Sequence, residues 1–253
     1  MAGILKKNEL VIIIPAVNCL KYTTWLISSI KTIFPYKLIL INNASTDGIK
    51  DYFDNLIKTK NALAFHFKEN LGVACSWNFG IKEAIEKFNS KYFLVLNNDI
   101  ILHPKAIDVL VKTLVNPSVD LVTATDISGK VVSSGDITTY KLPKKEKLVE
   151  APEFSCFMVK KQTIQKVGFF DEDFFPAYFE DNDYHYRMKL VNLKAVKINM
   201  ALYFHYGSRT ITENLEIREK SNLGYIPNRD YYRRKWGGVP GNEIYKIPFG
   251  GRF

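Results

Sequence analysis

The stretch Tyr92-Phe93-Leu94-Val95-Leu96-Asn97-Asn98-Asp99 passes directly from hydrophobic residues into three polar ones. A short hydrophobic run that stops at turn-forming residues is typical of a buried strand. Two similar runs, Leu10–Ile14 and Lys37–Ile41, come earlier in the chain, and Ala62–Phe67 is a weaker one. We therefore predict four strands in the first hundred residues.

Segments with helical periodicity separate these predicted strands. Apolar residues recur at spacings of three and four in Leu26–Ile30, Ile49–Ile57 and Val73–Phe88, and Pro104 opens a further helix. The alternation predicts an α/β fold, with a mainly parallel central sheet flanked by helices. In such folds ligands bind beyond the carboxyl ends of the strands, so the polar residues after each strand are the candidates for function.

Composition limits the class of protein and of its partners. The chain has 253 residues, 47% of them hydrophobic, which is enough for one large domain with its own core. Its net charge of +9 should attract anions such as phosphorylated donors, anionic membranes or nucleic acid. The basic residues lie in short scattered pairs, which is typical of a solvated surface and does not choose among these partners.

The cysteines and the apolar runs bear on the cellular compartment. Cys19, Cys75 and Cys156 form no CxxC pair, which argues against a disulfide framework or a structural zinc site. The apolar run Leu10–Val17 is interrupted by Pro15 and is much shorter than the roughly 20 residues of a membrane span. We expect a soluble cytoplasmic protein, and peripheral contact of its basic surface with the inner face of the membrane stays open.

The strand–helix pattern also suggests domain boundaries. It loosens after Asp120 into turn-rich sequence and tightens again from Pro152 to Tyr206. We predict a catalytic domain at 1–210, with a nucleotide-binding half at about 1–120 and an acceptor half at about 121–210. A C-terminal extension at 211–253, rich in aromatic residues, Gly and Pro, is predicted to wrap the domain or to order over a ligand.

Asp99 is a candidate ligand of a metal ion. It follows a predicted strand, so its carboxylate should lie at the carboxyl edge of the sheet, where it can hold a divalent cation against a diphosphate. The alternative is a structural role, because Asn and Asp also end strands by forming turns.

The segment Glu180-Asp181-Asn182-Asp183 places three carboxylates within four residues, just before a helical stretch. Clustered carboxylates raise one another's pKa, so one of them can serve as a general base. The alternative is that they only stabilise the first turn of the helix, where negative charge is favourable.

His205 and Arg209 form a third group of candidates. His205 follows a hydrophobic run and is either a metal ligand or an ordinary half-buried histidine. Arg209 either contacts phosphate or is a surface charge.

Several enzyme classes lack their signatures here. The sequence has no P-loop and no GxGxxG motif, which excludes kinases and Rossmann dehydrogenases from the leading hypotheses. A nucleotidyltransferase would need a Gly-rich basic loop after the first strand. The segment Pro15-Ala16-Val17-Asn18-Cys19 is neither Gly-rich nor basic.

Six motifs taken in order resemble the family 2 glycosyltransferases of GT-A fold, over roughly Leu10 to Ser208. They are VIIIPAVN at 11–18, LINNASTDG at 40–48, ENLGV at 69–73 with NFG at 78–80, LVLNND at 94–99, GFFDEDFF at 168–175 with FEDND at 179–183, and HYGS at 205–208. The resemblance implies an inverting glycosyltransferase, which moves a sugar from a nucleotide-diphosphate donor to a hydroxyl group. UDP- or dTDP-sugars are the favoured donors, and a glycan or lipid-linked saccharide is the expected acceptor.

The resemblance also implies roles for individual residues. Asp99 binds Mn²⁺ or Mg²⁺ and His205 completes its coordination. Asp181 is the catalytic base, with Glu180 and Asp183 as the next candidates. The residues expected to face the nucleotide or the donor are Pro15, Ala16, Asn18, Asn42, Asp47, Asn70, Gly72, Asn78, Asn97, Asn98 and Arg209.

Two positions depart from the family's pattern. The usual leading Asp of the DXD motif is Asn97, which leaves Asp99 as the only carboxylate of the motif. Asn42 likewise stands where an Asp is usual. These departures keep two alternatives open: a non-catalytic carbohydrate- or nucleotide-binding protein of the same fold, or a transferase that acts on a modified nucleic acid or a protein.

Overall fold

The computed structural model describes residues 5, 6, 8–130, 133–207 and 215–251. The strands are β1 Leu10–Ala16, β2 Tyr36–Asn43, β3 Ala62–Phe67, β4 Tyr92–Leu96, β5 Ile100–Leu102, β6 Leu121–Asp126, β7 Leu148–Val149, β8 Cys156–Lys160 and β9 Ala195–His205. The helices are α1 Leu20–Ser29, α2 Ile49–Thr59, α3 Gly72–Phe88, α4 Ala106–Leu114, α5 Lys161–Val167, α6 Glu180–Leu190 and α7 Leu215–Trp236, with short 3₁₀ segments at Ser134–Thr138 and Pro248–Gly251. The strands and helices predicted for the first 114 residues are confirmed.

The central sheet has the strand order β3-β2-β1-β4-β8-β6-β9-β5, and β7 pairs with β9. The strands from β3 to β4 are parallel, as the regular alternation of strands and helices predicts. Strand β8 lies antiparallel to both β4 and β6, so the sheet as a whole is mixed. The α/β class is confirmed. The change of direction arises because the described residues between β6 and β8 form no long helix that would carry the chain back across the sheet.

Helices cover both faces of the sheet, which explains why the strands are continuously hydrophobic. Ile12 and Ile14 of β1 point to one face, where α1, α2 and α4 pack. Val11 and Ile13 point to the other face, against α3 and α6. Gly80 lets α3 approach β1 closely, because a Cβ atom at this position would lie 2.3 Å from Cγ2 of Ile13.

The described part of the predicted C-terminal extension is a packed element. The end of α7 contributes Tyr232 and Trp236 to a buried aromatic cluster with Phe174 and Phe179. Helix α7 therefore packs against the segment between α5 and α6. The first residues of the extension, up to 214, lie outside the described residues.

Two further features concern the helices and the cysteines. None of the described helices combines the length and the apolar character that a bilayer crossing requires. All three cysteines are free thiols, and Cys156 is buried in the sheet.

Candidate active site

A cavity of about 300 Å³ opens beyond the carboxyl ends of β1, β2 and β4, at the edge where a parallel sheet presents its loops. Residues from both halves of the chain line it: Pro15, Ala16, Val17, Asn43, Asn70, Gly72, Val73, Ser76, Trp77, Asn97, Asn98, Asp99, Phe154, Ser155, Pro176, Ala177, Tyr178, Glu180, Asp181 and His205. The cavity thus brings together Asp99, His205 and the adjacent pair Glu180–Asp181, which come from three distant parts of the sequence.

Asp99 and His205 form a contacting pair in this cavity. Ile100 of β5 stands opposite His205 in the antiparallel pairing with β9, which brings the adjacent Asp99 to the imidazole. Oδ1 of Asp99 lies 3.1 Å from Nε2 of His205. Burial lowers the pKa of His205, but the hydrogen bond to Asp99 and the charge of its carboxylate outweigh this effect and raise it.

The donor set is suited to an ion that binds together with a ligand. Among the described residues no cluster of three His, Cys, Asp or Glu side chains could hold a metal alone. Asp99 and His205 supply one carboxylate oxygen and one imidazole nitrogen, a mixture that Mn²⁺ accepts. Diphosphate oxygens and water would have to complete the coordination, so the residues fit an ion shared with a nucleotide diphosphate.

Glu180 and Asp181 begin α6 and face the same cavity. The chain turns sharply into this helix through Tyr178 and Phe179, both with left-handed backbone conformations (φ 81° and 74°). Glu180 is 6% exposed, and its Oε2 atom has no hydrogen-bond partner among the described residues. Burial and the neighbouring charge of Asp181 raise the pKa of Glu180 to about 8.

Asp181 is half-buried, and its Oδ1 atom accepts a hydrogen bond from the backbone N–H of Asn182 at 2.7 Å. Burial raises the pKa of Asp181 as well. Two adjacent carboxyl groups with raised pKa values at the edge of a cavity are suited to accept or hold a proton near neutral pH.

The third predicted carboxylate, Asp183, does not line the cavity. It follows Asp181 by two residues, which turns it by about 200° around the helix axis, towards α7. There it is fully buried and accepts hydrogen bonds from Arg187 Nε and Trp236 Nε1, both at 2.8 Å. These contacts correct the prediction of Asp183 as a candidate base and indicate a structural role.

Asn43, and not the predicted Asn42, is the residue of β2 that lines the cavity. Adjacent residues of a strand point to opposite faces, and here Asn43 faces the cavity. The Oδ1 atom of Asn42 accepts a hydrogen bond from the backbone N–H of Ser45 at 2.7 Å, so Asn42 organises the turn after β2. Asn43 donates to Oδ1 of Asn70 at 2.9 Å and accepts from the backbone N–H of Leu71 at 2.8 Å.

Asn18 and Asp47 lie in an adjoining recess, outside the lining of the main cavity. Oδ1 of Asn18 accepts a hydrogen bond from the backbone N–H of Thr46, and Oδ2 of Asp47 accepts one from that of Leu20, both at 2.7 Å. The side chains therefore join the loops after β1 and β2. Asn98 ties this pair of loops to the cavity, because its amide donates to the backbone oxygen of Asn18 at 2.9 Å.

Asn78 is not a cavity residue, contrary to the prediction. It is 1% exposed and exchanges two hydrogen bonds with the backbone of Phe170, at 2.8 and 2.9 Å. Its side chain braces α3 against the segment that leads to α6. Six predicted donor-binding residues do line the cavity: Pro15, Ala16, Asn70, Gly72, Asn97 and Asn98. Arg209 lies outside the described residues.

Sequence reasoning missed several cavity residues, among them Trp77, Phe154, Ser155 and Tyr178. Trp77 carries the signal of a core residue of α3, and the other three lie in irregular segments without periodicity. Only the folding of residues 152–179 back onto β4 places these segments beside the cavity.

Solved structures define the class of the fold. The chain is similar to a mannosyltransferase from Pyrobaculum calidifontis in complex with GDP-Man and Mn²⁺, with a TM-score of 0.63 and 13% identity over 88% of this chain and 65% of the other. It is also similar to TarS 1-349 of S. aureus, with a TM-score of 0.59 and 15% identity over 90% and 74% of the two chains. The fold is therefore that of the GT-A glycosyltransferases.

The chain belongs to glycosyl transferase family 2, whose model matches residues 11–184, more than half of its length. Similar proteins include a galactofuranosyl glycosyltransferase of Leishmania donovani, 26% identical over 118 residues, which are 38% of this chain and 27% of the relative. An uncharacterized glycosyltransferase of Rickettsia conorii is 30% identical over 114 residues, 43% of this chain and 18% of the relative. The match thus spans about a quarter or less of the length of these relatives.

Proposed function

We propose that this chain transfers a sugar from a nucleotide-diphosphate donor to a hydroxyl group of an acceptor, with inversion at the anomeric carbon. One observation carries the proposal. A single cavity at the carboxyl ends of the strands holds the Asp99–His205 pair and the Glu180–Asp181 pair together. The first pair suits a cation on a diphosphate, and the second suits a proton acceptor.

The donor side of the cavity comes from the loops after β1, β2 and β3. Asn43, Asn70 and Gly72 form a hydrogen-bonded group beside Pro15 and Ala16, where the nucleoside would lie. Asp99 and His205 would hold Mn²⁺ or Mg²⁺ against the diphosphate. When bound, such an ion supplies positive charge that stabilises the leaving diphosphate.

The acceptor side of the cavity comes from the segment that ends in α6. Asp181 accepts the proton of the acceptor hydroxyl while the hydroxyl oxygen forms a bond to the anomeric carbon. The bond from that carbon to the diphosphate oxygen breaks on the opposite face, and its electron pair leaves with the diphosphate. Because attack and departure occur on opposite faces, the configuration inverts and no covalent sugar–enzyme intermediate forms.

The named ligands of similar structures support a nucleotide-sugar donor. They include GDP-Man with Mn²⁺, UDP-GlcNAc bound to TarS of S. aureus, and UDP, GalNAc and Mn²⁺ bound to GalNAc-T7. We favour a UDP- or dTDP-sugar as donor, and a glycan or lipid-linked saccharide as acceptor. A cytoplasmic location, with contact at the inner face of the membrane, is part of the same proposal.

A panel of nucleotides tests the proposal. The melting temperature is measured with UDP, dTDP, GDP and CMP, each with and without Mn²⁺. A nucleoside diphosphate should raise it, and more so with Mn²⁺, because ligands that bind only the folded state stabilise it. Unchanged melting temperatures in every arm would contradict the proposal.

The second candidate function, a non-catalytic binding protein, is favoured by one observation, the neutral Asn97 in place of a second carboxylate. Such a protein would show the same thermal shift. It would neither hydrolyse nor transfer from any nucleotide sugar, so an assay of sugar release separates the two functions.

A further inference from the structure

Helix α7 is joined to the first turn of α6 by a buried network of charges. Nζ of Lys235 lies 2.6 Å from Oδ2 of Asp171 and 2.7 Å from Oδ1 of Asp183. Nε1 of the adjacent Trp236 donates to the same Oδ1 of Asp183 at 2.8 Å. Lys235 is 6% exposed and Trp236 is 1% exposed, so these contacts are shielded from water.

The charges in this network balance. Arg187 of α6 donates to Oδ2 of Asp183 at 2.8 Å, so two cations face the carboxylates of Asp171 and Asp183. Arg187 also donates to the backbone oxygens of Val167 and Phe169, at 3.0 and 2.9 Å. A buried charge is costly unless it is paired, so removing one charged side chain from this network leaves an unpaired charge in the protein interior.

The network contacts the first turn of α6 on the side that faces away from the cavity, and Glu180 and Asp181 belong to the same turn. Asp183 belongs to the same first turn of α6, and its backbone N–H donates to the oxygen of Phe179 at 2.9 Å. About two turns earlier in α7, the amide of Asn228 donates to the backbone oxygen of Ala177 at 2.8 Å, so the helix also holds the segment before this turn. The two carboxylates that face the cavity therefore have their backbone fixed from behind by α7.

We propose that Lys235 and Trp236 are positioning residues, which hold the first turn of α6 so that Glu180 and Asp181 face the cavity. Both lie beyond residues 11–184, the part of the chain that matches the family. The inference rests on the proposed function. Helix α7 would then support catalysis on the acceptor side by positioning α6, although neither Lys235 nor Trp236 lines the cavity.

Substitutions at the two positions test the proposal. Lys235→Met removes the charge and keeps the length of the side chain, Lys235→Arg keeps the charge, and Trp236→Phe keeps an aromatic ring but removes the N–H donor. Lys91→Met is the control for the loss of a lysine–carboxylate pair, because it breaks an exposed pair of 2.6 Å with Glu9 at the amino-terminal ends of β1 and β4, away from the cavity. Each variant is assayed well below its melting temperature, after circular dichroism shows that it is folded.

Three measurements are compared: UDP affinity with Mn²⁺, kcat for hydrolysis of UDP-glucose and UDP-N-acetylglucosamine, and hydrogen exchange of peptides covering 97–99 and 178–190. For Lys235→Met we expect kcat to fall about a hundredfold, since small displacements of catalytic groups cost this much. UDP affinity should stay within about twofold, because the described contacts of Lys235 and Trp236 lie on the acceptor side, and exchange should rise only at 178–190. Lys235→Arg should recover most of the loss in kcat, and Lys91→Met should match the wild type.

A folded Lys235→Met protein with wild-type kcat and unchanged exchange at 178–190 would overturn the inference. If Lys235→Met does not fold, Trp236→Phe decides by the same measurements, with an expected fall in kcat of about tenfold. If the wild type neither binds UDP nor hydrolyses these donors, the proposed function fails instead. In that case the exchange data still test the inference: equal exchange at 178–190 in variant and wild type overturns it.

Discussion

Nε2 of His205 lies 3.1 Å from Oδ1 of Asp99, although 106 residues separate the two in the sequence. The antiparallel pairing of β5 with β9 creates this contact, and the backbone N–H of Tyr206 reinforces it by donating to the backbone oxygen of Asp99 at 3.0 Å. Strand β9, the last strand in the chain, thus places the imidazole of His205 beside the carboxylate of Asp99, which follows β4.

This pair predicts the effect of removing its carboxylate. Asp99→Ala should abolish the Mn²⁺-dependent part of UDP binding together with transfer, because the site loses its only anionic ligand from the DXD-like motif. Isothermal titration with and without Mn²⁺ measures the effect. Asp54→Ala is the matched control, since it breaks a similar carboxylate–histidine contact of 2.9 Å with His66 on the surface. Persistent Mn²⁺-enhanced binding in Asp99→Ala would contradict the prediction.

A different outcome is expected for Asp181→Asn. The amide keeps the shape of the side chain but cannot accept the proton, so donor binding should survive while turnover falls by roughly two to four powers of ten. UDP affinity and kcat are measured on the same preparation. Near-normal turnover would mean that the base lies elsewhere. Glu180 would then be the next candidate, since the oxygens of Asp183 are occupied by Arg187, Lys235 and Trp236.

The raised pKa of Glu180 predicts how its contribution to stability depends on pH. Its folded pKa of about 8 exceeds its ordinary value of 4.5, so its contribution is fully present below pH 4.5 and is lost as the pH rises towards 8. Glu180→Gln stays neutral and should not show this loss. Relative to the wild type, the variant should gain stability between pH 4.5 and 8, with about 2 to 4 °C in melting temperature for each kcal/mol.

Thermal melts of both proteins across this pH range provide the measurement. Asp181→Asn serves as a second reference, because it removes the neighbouring charge that helps to raise the pKa of Glu180. A constant difference in melting temperature between wild type and Glu180→Gln at all pH values would show that Glu180 has an ordinary pKa.

The neighbouring asparagines of β2 should respond differently to substitution. Asn43→Ala removes two hydrogen bonds that fix Asn70 and Leu71 at the cavity, and we expect UDP affinity to fall roughly three- to tenfold. Asn42→Ala should lower the melting temperature through the turn at Ser45 and leave UDP affinity nearly unchanged. The opposite ranking of the two affinities would show that Asn42 contacts the nucleotide.

The sequence alone determined the α/β class, the first four strands and the first four helices, and the segments that border the cavity, but not the short strand β5. Hydrophobic periodicity and turn-forming residues are local properties, so they can be interpreted without knowledge of the fold. The order of the motifs was sufficient for the family for the same reason, because each motif is short and contiguous.

The tertiary structure alone decided which side chains within those segments face the cavity. Strand β2 is buried on both faces, so no polar alternation distinguishes Asn42 from Asn43. The burial of Asp183 depends on Lys235 and Trp236 of α7, which are more than fifty residues away. The contact of Asp99 with His205 depends on the register between β5 and β9. Such relationships arise from pairing and packing between distant segments, which local sequence patterns do not encode.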